Sequence, residues 1–63
     1  MSEYEKKLIE EIKGFKITDV KIIHENWVQF IVHNEKYEEL DEMITKENPT
    51  EEFYQELKIL AGE

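Results

Sequence analysis

Helical spacing of apolar residues marks the beginning of the chain. One predicted helix face carries Tyr4, Leu8, Ile9 and Ile12. Ser2 and Glu5 fit a capping box, in which each side chain binds the other residue's backbone N–H. Gly14 suits the position just after a helix end, because glycine tolerates a positive φ. The pattern predicts a first helix over about 3–13.

Alternation replaces helical spacing in the next segment. Residues 16–24 and 27–33 are rich in β-branched and aromatic residues, which is typical of strands. We expect a three-residue loop, residues 24–26, with Asn26 in the left-handed conformation. A two-residue loop would pair Ile22 with Gln29 and flip one strand relative to the other. The three-residue loop instead predicts an almost wholly apolar face, with pairs Ile22–Val28, Val20–Phe30 and Thr18–Val32.

The other face of this hairpin mixes polar and apolar residues. It carries Ile17, Asp19, Lys21, Ile23, Trp27, Gln29, Ile31 and His33. Ile23 and Trp27 are expected to lie directly opposite each other, with Ile31 nearby. Two interpretations remain open: either the first helix packs on Trp27, or these three residues mediate self-association. A lone two-stranded sheet is marginal in water and leaves both edges unpaired, and a second copy would relieve this.

Helical spacing returns in the second half of the chain. Asn34 suits the N-cap of a second helix over about 35–47, with an apolar stripe of Tyr37, Leu40, Met43 and Ile44. Asn48 as N-cap and Pro49 as first residue predict a third helix over about 49–61, which Gly62 ends. Its apolar side carries Phe53, Tyr54, Leu57, Leu60 and Ala61.

The predicted fold is α+β: a helix, an antiparallel β-hairpin and two C-terminal helices, in the order α-β-β-α-α. Residues 1–63 are expected to form a single small domain with a thin core. The absence of cysteine excludes disulfides and thiolate metal sites. The sequence contains no predicted transmembrane span or signal peptide, so we expect a cytoplasmic protein.

Charge is distributed unevenly along the chain. Residues 1–34 hold 6 acidic residues and 5 lysines, whereas residues 35–63 hold 10 acidic residues and 3 lysines. The net charges of the two parts are −1 and −7, and arginine is absent. Direct binding to nucleic acid or to an anionic membrane is therefore not expected.

The sequence predicts no catalytic or metal site and no cofactor. His24 and His33 fall at opposite ends of the hairpin, too far apart to share a metal ion. The acidic segment lacks the glycine and the ligand spacing of an EF-hand. No carboxylate pair has the buried member that acid–base catalysis requires. We therefore expect a protein that is not an enzyme.

Carboxylates form a ridge on the predicted second helix. They follow the spacing i, i+3, i+4, i+7 at Glu35, Glu38, Glu39 and Glu42, with Asp41 beside them. The acidic excess continues with Glu47, Glu51, Glu52 and Glu56. Carboxylates one helical turn apart, about 5.4 Å, approximate a row of DNA phosphates. The alternative is a solvated helix face with no partner.

The segment TEEFYQELKIL (50–60), preceded by a helix, a hairpin and an acidic helix, resembles small phage-encoded inhibitors that mimic DNA. The similarity is to the listerial prophage type that inhibits the Cas9 nuclease, whose members are longer and have an additional strand. Small acidic phage proteins that block the nucleoid protein HU are a second analogy. The resemblance implies that Glu51, Glu52 and Glu56 face a target.

Two functional hypotheses follow. In the first, the protein is a cytoplasmic, non-enzymatic phage or mobile-element inhibitor that binds a basic, DNA-binding host protein through the acidic residues above. In the second, it is a small dimeric interaction module or regulator that works through the Trp27 face, and the acidic residues only solubilise it. Sensitivity of binding to salt would distinguish the two hypotheses.

Overall fold

The computed structural model describes residues 1–33 and 41–62. Its elements are α1 (Glu3–Ile12), β1 (Lys16–Ile23), β2 (Trp27–His33), β3 (Glu42–Glu47) and α2 (Glu51–Leu60). The strands form one antiparallel sheet in the order β1-β2-β3. The predicted α+β class is confirmed. The predicted order α-β-β-α-α is wrong, because the described residues follow the order α-β-β-β-α.

A strand, β3, lies where the end of the second helix was predicted. Glu42–Glu47 pairs with β2, and Ile44 lies opposite Phe30. Residues 35–40 of the predicted helix lie outside the described residues. Over so short a segment, Met43 and Ile44 fit a helical or an alternating pattern equally well. The backbone N–H and C=O groups along the second edge of β2 favour a strand over a helix here, because a strand gives those groups hydrogen-bond partners.

The first helix forms as predicted, including its capping box. The Glu5 N–H donates to Ser2 Oγ at 3.2 Å, and the Ser2 N–H donates to Glu5 Oε1 at 2.9 Å. The buried face of the helix, however, begins at Glu5 and not, as predicted, at Tyr4. Tyr4 is 63% exposed, whereas Glu5 is fully buried beside Ile9 and Ile12.

The C-terminal helix begins two residues later than predicted. Thr50, and not Asn48, is the N-cap, and its Oγ1 accepts a hydrogen bond from the Phe53 N–H at 3.2 Å. Asn48 instead adopts a positive φ of 50° and donates its N–H to the Asn26 carbonyl at 2.8 Å. This bond joins the end of β3 to the hairpin loop. Gly62, with a φ of 79°, follows the helix as predicted.

The hairpin register agrees with the prediction only near its loop. Ile22 pairs with Val28, but a bulge between Thr18 and Lys21 then shifts β1 by one residue. The bulge includes Asp19, which has a φ of 54°. Beyond it, Val32 pairs with Ile17 and not, as predicted, with Thr18. Ile17 therefore enters the core, where its exposed fraction is 1%.

The hairpin loop also differs in its backbone. The left-handed residue is His24, with a φ of 51°, and not Asn26. The predicted pair Val20–Phe30 is absent from the register, because the bulge lies at this point.

The core lies on one face of the sheet, beneath both helices. Its members come from α1, from the first two strands and from α2: Ile9, Ile12, Ile17, Val28, Phe30, Val32, Phe53 and Leu57. The rings of Phe30 and Phe53 meet edge to face, with centroids 6.5 Å apart. Tyr54, Leu60 and Ala61 pack against this core, so the predicted apolar side of the last helix is confirmed.

Candidate interaction surface

The sheet face opposite the helices, here called the outer face, is the candidate site. Residues that pair directly across antiparallel strands point to the same side, so the registers define this face row by row. The first row is Ile23, Trp27 and Glu47, and the second is Lys21, Gln29 and Thr45. The third is Thr18, Ile31 and Met43, and the fourth is Lys16 and His33, with Asp41 bound to His33.

The apolar part of the outer face is accessible. Trp27 is 37% exposed and Met43 is 64% exposed, while Ile23 and Ile31 are half-buried. Ile23 does lie opposite Trp27, as predicted. The interpretation that the first helix packs on Trp27 is wrong, because both helices place their buried residues on the other face of the sheet.

The charges on the outer face cancel, although the whole chain carries −8. Lys16 and Lys21 lie along the β1 edge, and Asp41 and Glu47 lie along the β3 side. The face thus has a basic edge and an acidic edge with an apolar centre.

A hydrogen-bonded chain crosses one end of this face. Thr18 Oγ1 lies 2.5 Å from His33 Nε2, and His33 Nδ1 lies 2.8 Å from Asp41 Oδ2. The order of hydroxyl, imidazole and carboxylate is that of a nucleophile, a base and an orienting acid. Acyl transfer also needs a substrate cavity and converging donors for an oxyanion. Of the cavities formed by described residues, those beside α1 and at the hairpin loop are lined by other side chains.

Two members of the predicted acidic surface lie on opposite faces of the sheet. Glu42 begins β3 and pairs with Val32, which places it on the core side of the sheet, whereas Glu47 lies on the outer face. The helical spacing that linked Glu42 to the ridge is therefore lost. Three further members of the predicted site lie outside the described residues: Glu35, Glu38 and Glu39.

The acidic residues of α2 are partly engaged within the chain. Glu52 binds the N-terminal ammonium of Met1 at 3.3 Å. Glu51 accepts a hydrogen bond from Gln55 at 2.9 Å. Glu56 is half-buried. The contacts of Glu51 and Glu52 lie on the surface and leave both carboxylates accessible. The side chain of Glu52, for example, is 75% exposed.

A buried carboxylate, that of Glu5, connects three elements of the fold. The sequence analysis gave this residue only a role in capping the first helix. Its Oε1 accepts hydrogen bonds from the Ser2 N–H and from the Thr50 hydroxyl, each at 2.9 Å. Its Oε2 accepts from the Thr50 N–H at 3.0 Å and lies 3.3 Å from Lys46 Nζ. The carboxylate thus joins the N-caps of both helices to β3.

The contacts of Glu5 determine its ionisation. Burial by itself raises the pKa of this carboxyl, but donors from Thr50, Ser2 and Lys46 outweigh burial and lower the pKa to about 2. A signal was present in the sequence. Glu5 with Leu8, Ile9 and Ile12 follows the spacing i, i+3, i+4, i+7, which places its side chain on the buried face.

Lys46 completes this junction. Its side chain is 14% exposed, and its Nζ lies 5.9 Å from the ring centroid of Tyr4 and 5.7 Å from that of Phe53. The ammonium group therefore has a carboxylate and two aromatic rings as neighbours. These contacts anchor β3 on the core side, while Met43, Thr45 and Glu47 line the outer face.

Two of the surface cavities are formed by described residues alone. One, of about 180 Å³, lies beside α1 and is lined by Leu8, Glu11, Ile12, Phe15, Val32, Glu42 and Ile44. The other, of about 330 Å³, lies at the hairpin loop and is lined by His24, Glu25, Asn26, Trp27, Glu47 and Asn48. Within residues 1–33 and 41–62, no three His, Asp or Glu side chains are grouped closely enough to hold a metal ion.

Neither helix of the described chain has the length and apolar character needed to cross a membrane. Comparisons with protein-family models, with curated proteins and with solved structures gave no match.

Proposed function

We propose that the protein is a non-enzymatic, cytoplasmic interaction module that binds another protein through the outer face. The observation that supports this proposal is the position of both helices on one side of the sheet, which leaves Trp27, Ile31 and Met43 accessible on the other. Exposed apolar groups gathered on one face, rimmed by polar residues, are typical of protein contact sites.

The composition of the outer face also favours a protein partner. Trp27 offers a large aromatic surface, and tryptophan is enriched among residues that dominate binding energy. Met43 adds a flexible apolar side chain that adapts to a partner surface. Lysines and carboxylates on the two edges give the polar rim of such a contact.

A binding experiment with matched variants tests this proposal. The tagged parent, an outer-face variant Ile31→Lys and a control Ile59→Lys are each mixed with untagged parent and with bacterial lysate. Ile59 is 66% exposed on α2, away from the outer face. Circular dichroism confirms folding, and Trp27→Gln serves as a second outer-face variant. We expect the parent and the control to retain the same protein, and both outer-face variants to lose it.

Salt dependence is measured in the same experiment. Binding should change far less between about 50 mM and about 500 mM salt than charge mimicry predicts, because the apolar centre of the face is not screened. Equal binding by the outer-face variants and the parent would contradict the proposal.

The second candidate function is inhibition of a basic, DNA-binding host protein by charge mimicry. The net charge of −8 and the exposed Glu51 and Glu52 support it. The third strand also supports it. The phage inhibitors that the chain resembles have one strand more than the predicted hairpin, and the three-stranded sheet removes that difference. The contact would then involve the acidic residues of the second half of the chain.

Charge removal tests this second candidate. The variant Glu38→Gln, Glu39→Gln, Glu42→Gln removes three negative charges while preserving side-chain size. Under charge mimicry, its binding to a basic partner should weaken, and most strongly at low salt. Unchanged binding at low salt would exclude these residues from the contact, and the loss of binding in Ile31→Lys would favour the first candidate.

A further inference from the structure

We infer that the partner of the outer face is a second copy of this chain, packed sheet to sheet about a twofold axis that runs parallel to the strands. This inference rests on the proposed function and names its partner. It is supported by the distribution of charge across the outer face, together with the alternation of polar and apolar rows along the strands.

Charge favours this face over the remaining surface for self-association. Two copies that each carry −8 repel one another. On the outer face, however, Lys16 and Lys21 balance Asp41 and Glu47. Among the described residues, the acidic excess therefore lies off the outer face, and two outer faces can approach without placing that part of the charge in the contact.

The order of the strands selects the axis. Two sheets that pack face to face keep their strands within about 30° of each other and lie roughly 10 Å apart. An axis parallel to the strands places β2 over the partner's β2, and β1 over the partner's β3. The edge with Lys16 and Lys21 then meets the edge with Asp41 and Glu47, on both sides of the contact. An axis across the strands would place β1 over β1 and bring like charges together.

The same axis brings the apolar residues of β2 together. Trp27 and Ile31 alternate with the half-buried Gln29 on the central strand, so they lie near the axis and face their own copies. Met43 on β3 then faces Thr18 on β1 of the partner, at the same height along the strands. An apolar centre flanked by opposite charges is thus self-complementary, as a twofold contact requires.

The size of the face predicts a weak dimer. Three strands about 4.8 Å apart and about seven residues long cover roughly 14 Å by 23 Å. This is below the area of about 800 Å² per partner in a standard interface. We therefore expect association in the micromolar range and a reversible equilibrium.

The experiment measures this equilibrium by sedimentation velocity and by tryptophan emission, over about 5 to 500 µM protein. Trp27 is the single tryptophan of the chain, so its emission reports directly on the outer face. We expect the sedimentation coefficient to rise with concentration and the emission maximum to shift to shorter wavelength with the same midpoint. Monomer throughout the range would overturn the inference.

Charge reversals then test the axis. We expect Lys21→Glu and Glu47→Lys each to weaken the dimer about tenfold, because each places like charges in adjacent rows across the contact, at two symmetry-related positions. The double variant, which exchanges the two charges, should return to within about threefold of the parent. A dimer with its axis across the strands, or one formed by edge pairing, would not recover in the double variant.

A matched control separates local charge from net charge. Glu10→Lys and Glu47→Lys both change the net charge from −8 to −6, but Glu10 lies on α1, on the far side of the sheet. Reduced net repulsion alone would strengthen the dimer in both variants. We expect strengthening or no change in Glu10→Lys and weakening in Glu47→Lys, and equal effects would overturn the inference. If the parent stays monomeric but an outer-face variant loses a protein from lysate, the inference fails and the proposed function stands.

Discussion

The two faces of β2 are built from alternate residues of one strand, and they differ in what covers them. Val28 and Phe30 point inward and are fully buried beneath both helices, whereas Trp27 points outward and is 37% exposed. The inward residues stabilise the fold. The outward residues are less buried than the inward ones, and the proposed contact between copies would account for their aromatic and aliphatic character.

This difference also shows how a chain of this size can form a stable core and still present an apolar surface. The core is closed by side chains from α1, α2 and the first two strands. β3 is held to this core by Lys46, through its contacts with Glu5 and Phe53. The ion pair thus adds to the backbone pairing with β2 and the packing of Ile44 in holding the third strand, and the outer face gains the residues of that strand.

The largest expected effect is at the centre of the core. Phe30→Ala should lower the free energy of unfolding by about 3–5 kcal/mol, because it removes a fully buried ring and leaves a cavity. Denaturant titration measures the loss, and Phe30→Leu, with a smaller cavity, keeps the protein folded enough for comparison. Ile31→Ala, the outward neighbour, should cost much less. Equal losses at the two positions would contradict the division between the faces.

Acid should weaken the anchor of β3. The pKa of Glu5 is about 2 in the folded protein and about 4.3 when unfolded, so the folded state binds its proton less readily. This contribution to stability is present above pH 4.5 and is lost as the pH falls towards 2. Its full size is about 3 kcal/mol.

The measurement is a set of denaturant titrations between pH 2 and pH 6. The difference in unfolding free energy between the parent and Glu5→Gln should shrink as the pH falls. Glu10→Gln, an exposed change on the same helix, should keep the pH dependence of the parent. A pH-independent difference between the parent and Glu5→Gln would contradict the role of this carboxylate.

At neutral pH, Glu5→Gln should lower the free energy of unfolding by about 2 kcal/mol. The amide retains the size of the side chain but leaves the half-buried Lys46 without its carboxylate. Lys46→Met tests the same pair from the other side. The double variant should lose less unfolding free energy than the sum of the losses in the two single variants, because Glu5 and Lys46 interact directly. Additive losses would show that Glu5 acts only through the helix caps.

The smallest effect on stability is expected on the outer face. Met43→Thr should change the free energy of unfolding by less than about 0.5 kcal/mol, because this side chain is 64% exposed and threonine suits a strand. Association between copies should nevertheless weaken, as sedimentation velocity can measure. A large loss of stability would show that this residue contributes to the fold of the single chain.

Much of the fold follows from local patterns in the sequence. The Ser2–Glu5 capping box, the three-residue length of the hairpin loop and the apolar side of the last helix each depend on neighbouring residues, and each formed as predicted. The net charge of the chain and the pairing of Ile23 with Trp27 also follow from the sequence. The residues at the centre of the candidate surface were therefore predicted individually.

Other features follow from contacts between distant parts of the chain. Glu5 was recognised as a capping residue, but Thr50, which donates to it twice, lies 45 positions away. The bulge at Asp19 moved Ile17 into the core in place of Thr18, since one extra residue reverses which side chains face inward. No local pattern indicated the contact between Glu5 and Thr50 or the position of the bulge.

The sequence by itself determined the first helix, the hairpin, the last helix and the acidic character of the chain, because helical or alternating periodicity and caps act over about ten residues. Only the tertiary structure decided that Glu42–Glu47 is a strand, since its short pattern fits both periods and the backbone of β2 supplies the hydrogen bonds. Only the tertiary structure also decided that both helices share one face of the sheet. The outer face exists for that reason, because the position of a helix depends on the side chains that it buries across the whole chain.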